Sequence, residues 1–442
     1  MSTVDFSVTP LVFRTSPETK KVTIHPKQEH AKRLLSQVTT VRFFAVDCEV
    51  EPGWANWLRK ETFPFCLCEN GDLTVDVNFP TEDEYVILLQ EKIQGTEEFR
   101  ELCSFSVYAV DEDLFRFRPF KGDFHMHSFK SDGRQSPEYV AASCRKIGDD
   151  FMALTDHGRY APSLQAMEFL KPFDLDMLSC PGEEVHLPEN PVHIIHFGGN
   201  FSINDLAKDG EGKVKDEFTR EIDQYSENMG LPENLNELTR KQVTVSEWAF
   251  DKIRAAGGIA MFCHPYWRPC HHNYIGEKTI DLLMERNRFD VLEVFGGYGK
   301  NEVESNMLSL ARYEQERVTG KKIPVAGVSD AHTCNGSLFS WYYTIVFSEQ
   351  LTFDAIAEAI RSDRSIAVHA LPGEHPIVAG PYRLCKYTYF LLREYFPNHD
   401  ELCRVEGEIL LRYLAGDEPQ AKDLLKMRKG TVPAYTASCW EK

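Results

Sequence analysis

At residues 151–157 the sequence reads FMALTDH, a short apolar run that ends in an acid and an imidazole. Similar runs occur at 259–264 (IAMFCH), which ends in an imidazole, and at 325–332 (VAGVSDAH), which ends in an acid and an imidazole. Each run has the length of a buried strand. In α/β barrels, functional side chains lie at the carboxyl ends of parallel strands, which converge at one mouth. We therefore expect the residues that end these runs to meet at a single site.

The segments between the apolar runs are typical of amphipathic helices, for example 136–146, 245–256 and 301–319. Alternation of short strands with helices over residues 119–372 predicts an α/β fold with a largely parallel sheet or a barrel. Residues 202–243 interrupt this alternation with a charged, helical insertion. The insertion follows a predicted strand, so it leaves from the mouth, and we consider it a possible lid.

The two ends of the chain have different patterns. Residues 1–118 contain short segments rich in β-branched and aromatic residues, separated by turn-forming clusters such as 69–72. This spacing predicts a small all-β sandwich domain. Residues 373–442 have a helical pattern and are predicted to form a helical C-terminal segment.

Composition excludes some functions. The chain has 442 residues, and its 68 acidic against 49 basic side chains give a net charge of −19. This charge argues against a protein that grips nucleic acid through its phosphates, so we expect nucleic acid at most as a substrate. The sequence has neither a signal peptide pattern nor an apolar run of about 18 residues. We therefore expect no membrane partner. The 12 cysteines follow no framework of regular spacings, which indicates reduced thiols and a cytoplasmic location.

A pair of histidines, His125 and His127, ends the predicted strand 120–124. On a strand, residues i and i+2 point to the same face, so both imidazoles can bind one ion. Alone, such a pair is more often two surface histidines. The acids and imidazoles that follow it and that end the other runs favour a metal site instead: Asp132, His157, His264, Asp330 and His332. Nitrogen and oxygen ligands without thiolates favour Zn, Mn or Fe ions.

These motifs resemble one known family. The segments KGDFHMHSFKSDG (121–133) and LTDH (154–157) resemble the PHP (polymerase and histidinol phosphatase) family. Further motifs follow in that family's order: PGEEV (181–185), VHII (192–195), HP (264–265) and SDAH (329–332). The resemblance covers about residues 120–370 and neither end of the chain.

The resemblance implies a distorted (β/α)7 TIM-like barrel that holds two or three divalent ions. By residue-by-residue carry-over, the ligands of the first ion would be His125, His127, Glu184 and Asp330. Glu184 would bridge to a second ion, also bound by His193 and His264. The third ion would be bound by Asp132, His157 and His332. The same nine residues would be the catalytic residues.

Four neighbouring residues need separate interpretation. Strand alternation lets only one of Glu183 and Glu184 face the metals, and the spacing from Pro181 favours Glu184. His186 could share the face of Glu184, and we expect it beside the ligands. His196 is expected to pack away from them, and Glu293 to bind a ligand imidazole.

The implied activity is that of a metal-dependent hydrolase. We expect a phosphoesterase that cleaves a small phosphomonoester or nucleotide through a hydroxide bridging two ions. Arg159 and Arg268 are the predicted phosphate-binding residues, with Lys130 and Arg134 as alternatives. Two other activities stay open, hydrolysis of non-phosphate esters or carbamates and 5′→3′ nuclease action. A non-catalytic module is less favoured because the ligand set is complete.

Overall fold

The computed structural model describes residues 5–47, 61–417 and 419–442. The chain divides into two compact units, one of residues 1–117, 386–399 and 430–442 and one of residues 118–385 and 400–429. The segment 373–442, predicted as a helical tail, is thus distributed over both units. Among the described residues, no helix has the length and apolar character needed to span a bilayer.

The first unit is mainly β. Its elements up to residue 117 are β1 (Phe6–Thr9), β2 (Val12–Arg14), β3 (Ser16–Pro26), α1 (Glu29–Leu35), β4 (Thr40–Ala45), β5 (Phe65–Leu67), β6 (Leu73–Phe79), β7 (Asp83–Lys92), β8 (Phe99–Val110) and α2 (Glu112–Phe115). The strands form two four-stranded sheets, β1-β3-β6-β5 and β2-β8-β7-β4.

The core of this unit lies between its two sheets. Alternate residues of β6 are buried, as expected for a strand with one face in a core. At the end of β6, Phe79 stacks on Phe13 of β2 with ring centroids 4.4 Å apart, and its edge contacts Phe43 of β4. Aromatic contacts therefore join one sheet to the other.

The second unit alternates strands and helices. Its elements are β9 (Arg118–Asp123), α3 (Pro137–Lys146), β10 (Phe151–Ala153), α4 (Ala161–Leu170), β11 (Leu178–Cys180), β12 (Gly182–Val185), β13 (Ile194–Phe197), α5 (Asn204–Ala207), α6 (Asp216–Asn228), α7 (Glu237–Ala255), β14 (Ile259–Phe262), α8 (Glu277–Arg286), β15 (Val291–Gly296), α9 (Val303–Val318), β16 (Val325–Val328), β17 (Tyr342–Ser348), α10 (Phe353–Arg361), β18 (Ser365–His369) and β19 (Ile377–Ala379). Four helices follow along the chain, α11 (Tyr382–Glu394), α12 (Phe396–Leu414), α13 (Ala421–Arg428) and α14 (Thr431–Cys439).

Helix starts follow from local chemistry. The Ser136 hydroxyl accepts a hydrogen bond from the Tyr139 N–H, and Pro137 occupies the first turn, so α3 begins there. The Asn236 side chain caps α7 in the same way through the Thr239 N–H at 2.8 Å. The insertion 202–243 therefore contains α5, α6 and the first turns of α7.

Within the described part of this unit, the strands form two sheets, β11-β10-β9-β17-β18-β19 and β12-β13-β14-β15-β16. The α/β class is confirmed, whereas a single closed (β/α)7 barrel is not observed. Strand β13 runs antiparallel to both β12 and β14, which departs from the mainly parallel arrangement expected. The two sheets share an apolar core, in which Phe124 stacks on Phe197 at 4.9 Å.

Two isolated bridges link the sheets beyond the carboxyl ends of the strands. Met126 pairs with Ala331, and His157 pairs with Glu184. The first bridge joins the segments that follow β9 and β16, and the second joins the segment that follows β10 to strand β12. Both bridges lie beside predicted ligands.

Candidate metal centre

Short segments at strand ends carry the predicted ligands. His125 and His127 follow β9, His157 follows β10, and His264 follows β14. Asp330 follows β16, while Glu184 lies within β12. Asp330 and His264 have left-handed backbones, with φ of +48° and +30°. Such strain costs of order 1–3 kcal/mol at a non-glycine residue and clusters at functional sites.

The centre of the site is the carboxylate of Glu184, which is fully buried. Six imidazoles approach it within 3.6 Å: His157 at 2.6, His193 at 2.8, His186 and His264 at 3.4, His127 at 3.5 and His125 at 3.6 Å. A carboxylate offers about four lone-pair directions, fewer than these imidazoles could use. Burial raises the pKa of Glu184, but the close imidazoles of His125, His157, His186 and His193 outweigh it and hold that pKa well below its usual range.

A second carboxylate, Asp330, lies beside the histidine pair. Its Oδ1 is 2.9 Å from Nε2 of His127 and 3.3 Å from Nε2 of His125. Burial alone would raise the pKa of Asp330, but the two imidazoles lower it below its usual range. Asp330 is therefore ionised at neutral pH, as a metal ligand must be.

A third group forms around Asp132. Its Oδ2 lies 3.3 Å from Nε2 of His157 and 3.2 Å from Nε2 of His332. The ring of His127 stacks between these two imidazoles, with centroid distances of 4.2 and 4.3 Å. The side chain of Asp132 is 55% exposed, so this group faces solvent while Glu184 does not.

Asp156 fixes the loop that carries Asp132. Its buried carboxylate accepts four hydrogen bonds, from the N–H and hydroxyl of Ser128 (both 2.8 Å) and from the N–H and hydroxyl of Ser131 (3.1 and 2.6 Å). The loop is also tight at Gly133, where a Cβ would clash with the carbonyl oxygen of His127. The position of Asp132 thus depends on a carboxylate that is not a predicted ligand.

Two further acids support the ligands from behind. Glu293 Oε2 lies 3.1 Å from Nδ1 of His125. This contact orients the ring so that its other nitrogen, Nε2, faces Glu184 and Asp330. Glu183 points to the opposite face of β12, where it accepts hydrogen bonds from the Ser202 hydroxyl (2.8 Å) and the Asn204 amide (2.9 Å). His196 lies on that face too, with Nδ1 3.3 Å from Glu183.

The two predicted phosphate-binding residues differ in their surroundings. Arg159 is exposed, and its guanidinium makes no hydrogen bond or ion pair with the described residues. Arg268 is 42% exposed and donates to Glu304 at 2.9 Å and to Asn273 at 3.0 Å. Of these two residues, Arg159 alone has a guanidinium that no described protein group binds.

The donor atoms of the site fit divalent cations. Three of them are buried without a hydrogen-bond partner among the described residues: Nε2 of His125, Oε2 of Glu184 and Nδ1 of His193. Burial lowers the pKa of His193 to about 4, so its imidazole is neutral at pH 7, the form that binds metals. Unused lone pairs that converge on buried carboxylates are expected where cations bind.

Comparison with known proteins finds one similar curated protein and several similar solved structures. No family model matches the chain. The DNA polymerase/3′-5′ exonuclease PolX of Bacillus subtilis is 36% identical over 98 residues, which are 21% of this chain and 17% of that protein. A Bacteroides vulgatus two-domain protein containing a predicted PHP-like metal-dependent phosphoesterase has 19% identity and a TM-score of 0.44, covering 64% of this chain and 71% of that one. The chain is thus similar to a protein described as PHP-like, the family that its sequence motifs resemble.

A further similar structure is the lesion-specific endonuclease Q of Pyrococcus furiosus, with 14% identity and a TM-score of 0.32. That match covers 60% of this chain and 59% of the endonuclease. Groups of histidine and acidic side chains converge closely enough to hold ions, for example His125, His127 and Asp330. These groups suggest divalent metal ions.

Sequence reasoning missed two residues of the candidate site. Asp156 binds serines that lie 25 and 28 positions earlier, and Asn204 binds Glu183 from within the insertion. Neither spacing has a helical or strand period, so no local pattern could have revealed the contact. The one available signal was the position of Asp156 beside His157, which is equally typical of a helix N-cap.

Proposed function

We propose that this protein is a metal-dependent phosphoesterase of the PHP type that hydrolyses a small phosphomonoester or a nucleotide. The observation that carries this proposal is the buried carboxylate of Glu184 with six imidazoles within 3.6 Å. Protein interiors pair a buried carboxylate with a few hydrogen bonds or with cations, and this number of imidazoles suits cations.

Two or three ions of Zn, Mn or Fe would be held by the nine ligands. Glu184, Asp330 and the histidine pair would hold the first, Glu184 with His193 and His264 the second, and the Asp132 group the third. When bound, such ions lower the pKa of water and neutralise the charge that develops on a phosphoryl group. The residues Glu293 and Asp156 would keep the ligands oriented before substrate arrives.

Arg159 would bind the substrate phosphoryl group. It follows His157 by two residues, and a guanidinium matches the geometry of phosphate oxygens. Its freedom from ion pairs supports this role. Arg268 would first have to exchange Glu304 and Asn273 for the substrate, so it would contribute less.

We also propose that the two sheets of the second unit form one distorted seven-stranded barrel. Strands β9 and β10 of one sheet would complete a ring with β12 to β16 of the other. The two isolated bridges and the shared apolar core support this arrangement. A mouth at the carboxyl ends would then carry the site.

Hydrolysis of model substrates tests the proposed reaction. The purified protein, reconstituted with Mn²⁺, is assayed on p-nitrophenyl phosphate, bis-p-nitrophenyl phosphate and p-nitrophenyl acetate. We expect turnover of the monoester to exceed that of the other two. Preference for the diester would favour a nuclease, and preference for the acetate would favour a carboxylic ester hydrolase.

Variants link that activity to the site. His125→Ala and Asp330→Ala should each remove nearly all activity. The control is His272→Ala, which should keep its activity because His272 is exposed and contacts the Asn273 carbonyl oxygen. Arg159→Ala should raise KM for the monoester with little loss of bound metal. Full activity of both His125→Ala and Asp330→Ala would contradict the proposed function.

A further inference from the structure

We propose that His186 is an additional metal ligand, completing the set that Glu184, His193 and His264 provide for one ion. This inference rests on the proposed metal function but concerns a residue outside the nine implied by the resemblance. Three features of the structure support it: the position of Nε2 of His186, the contact of that nitrogen with His157, and the hydrogen bonds that fix the backbone of His186.

The first feature is the distance of the ring from the bridging carboxylate. Nε2 of His186 lies 3.4 Å from Oε1 of Glu184, the same distance and the same oxygen as Nε2 of His264. Nδ1 of His193 lies 2.8 Å from that oxygen too. The rings of His186 and His193 stack with centroids 4.0 Å apart. Three imidazole nitrogens therefore converge on one carboxylate oxygen, and His186 is as close as a ligand implied by the resemblance.

The second feature is the contact with His157. Nδ1 of His157 lies 2.9 Å from Nε2 of His186 and 2.6 Å from Oε2 of Glu184. Because Nε2 of His157 would bind the ion of the Asp132 group, its proton is expected on Nδ1. The hydrogen-bond geometry directs this proton to Nε2 of His186, which is therefore the unprotonated nitrogen of its ring. The lone pair on Nε2 of His186 thus points into the cluster, in the form that binds metals.

The third feature is the fixed backbone of His186. Its N–H donates to the Asn204 side chain at 2.9 Å, and its carbonyl oxygen accepts from Nζ of Lys208 at 3.1 Å. Asn204 also donates to Glu183 and to the carbonyl oxygen of Glu184. The start of the insertion thus holds β12 and His186 together, and the ring stays 30% exposed at the edge of the cluster.

Metal affinity tests the inference without relying on activity. Zn²⁺ and Mn²⁺ binding is measured by competition with a chromophoric chelator for the full-length protein, His186→Ala and His272→Ala. Loss of a residue that supports a metal ligand typically costs 10–100-fold in affinity, and loss of a ligand should cost at least as much. We expect the His186→Ala protein to bind one of its ion equivalents at least about tenfold more weakly than the original protein does. The metal affinity of His272→Ala should be unchanged.

A thiolate replacement provides direct evidence of coordination. Thiolates bind soft metal ions, so His186→Cys loaded with Cd²⁺ should show a sulfur-to-metal absorption band beyond that of the original protein. His272→Cys, with the same number of thiols, should lack the added band. This second variant keeps the inference testable if His186→Ala does not fold.

The outcomes separate this inference from the proposed function. Unchanged affinity in His186→Ala, together with no added band in His186→Cys, would show that His186 only contacts His157. If the original protein binds no ion after reconstitution, the metal function itself fails and this inference fails with it. Weaker binding of one ion equivalent with the added Cd²⁺ band would support both.

Discussion

Asp156 illustrates how a single buried carboxylate can act on the site without being one of its ligands. Asp156→Asn replaces one of the two acceptor oxygens by an amide, so some of the four bonds to Ser128 and Ser131 are lost. Because that loop carries Asp132, the ion of the Asp132 group should bind about 10–100-fold more weakly. Elemental analysis at limiting free metal should find one ion fewer per chain. A full complement of ions would contradict the positioning role.

The neighbouring acids Glu183 and Glu184 should give opposite results. Glu184→Gln removes the charge on which the imidazoles converge, so we expect loss of bound metal and of activity. The side chain of Glu183 faces Ser202 and Asn204. The Glu183→Gln protein should therefore keep its bound ions, and its rate should change by less than about tenfold. It should instead lower the free energy of unfolding by about 1–3 kcal/mol, because a buried network loses a partner.

Metal analysis and urea unfolding of both variants distinguish these effects. Metal loss in Glu183→Gln with retention in Glu184→Gln would mean that β12 presents its other face to the site.

At the scale of elements, a buried ion pair connects α3 to α12. Arg145 in α3 is fully buried and donates through Nε to Glu406 at 2.8 Å, while its Nη1 donates to the carbonyl oxygen of Asp149 at 3.2 Å. Removing one partner of a buried pair typically costs 3–5 kcal/mol, and Asp150, whose Oδ1 lies 3.5 Å from Nη1, would compensate Arg145 only in part. Glu406→Ala should therefore lower the free energy of unfolding by about that amount.

Replacing both partners should cost less than replacing one. The double variant Arg145→Met with Glu406→Leu removes both charges and fills the space with apolar groups. We expect it to be more stable than Glu406→Ala in urea unfolding followed by circular dichroism. A double variant that is less stable than the single one would show that other contacts of these side chains dominate.

At the scale of the whole molecule, bound ions should stabilise the fold. The proposed ligands come from segments after several strands, so an ion binds the folded chain far better than the unfolded one. Binding at one hundred times Kd adds about 2.7 kcal/mol to the free energy of unfolding. We expect chelation to lower the Tm by several degrees and Mn²⁺ or Zn²⁺ to restore it. An equal response in Glu184→Gln would mean that the ions bind elsewhere.

Local patterns in the sequence were sufficient for part of this architecture. Apolar runs that end in ionisable residues predicted the strands and the side of the fold on which His157, His264 and Asp330 lie. The i, i+2 spacing of His125 and His127 indicated a common face. These features depend on backbone periodicity and on where a strand ends, which are properties of neighbouring residues. The same local information led to the α/β class.

Only the tertiary structure decided which distant groups meet. The convergence of six imidazoles on Glu184, the four bonds of Asp156 and the partners of Arg268 join residues far apart in sequence. The antiparallel course of β13 and the division into two sheets were not predicted either. The physical reason is that strand direction and long-range pairing depend on how whole elements pack, and a local pattern of apolar and polar residues is compatible with several packings.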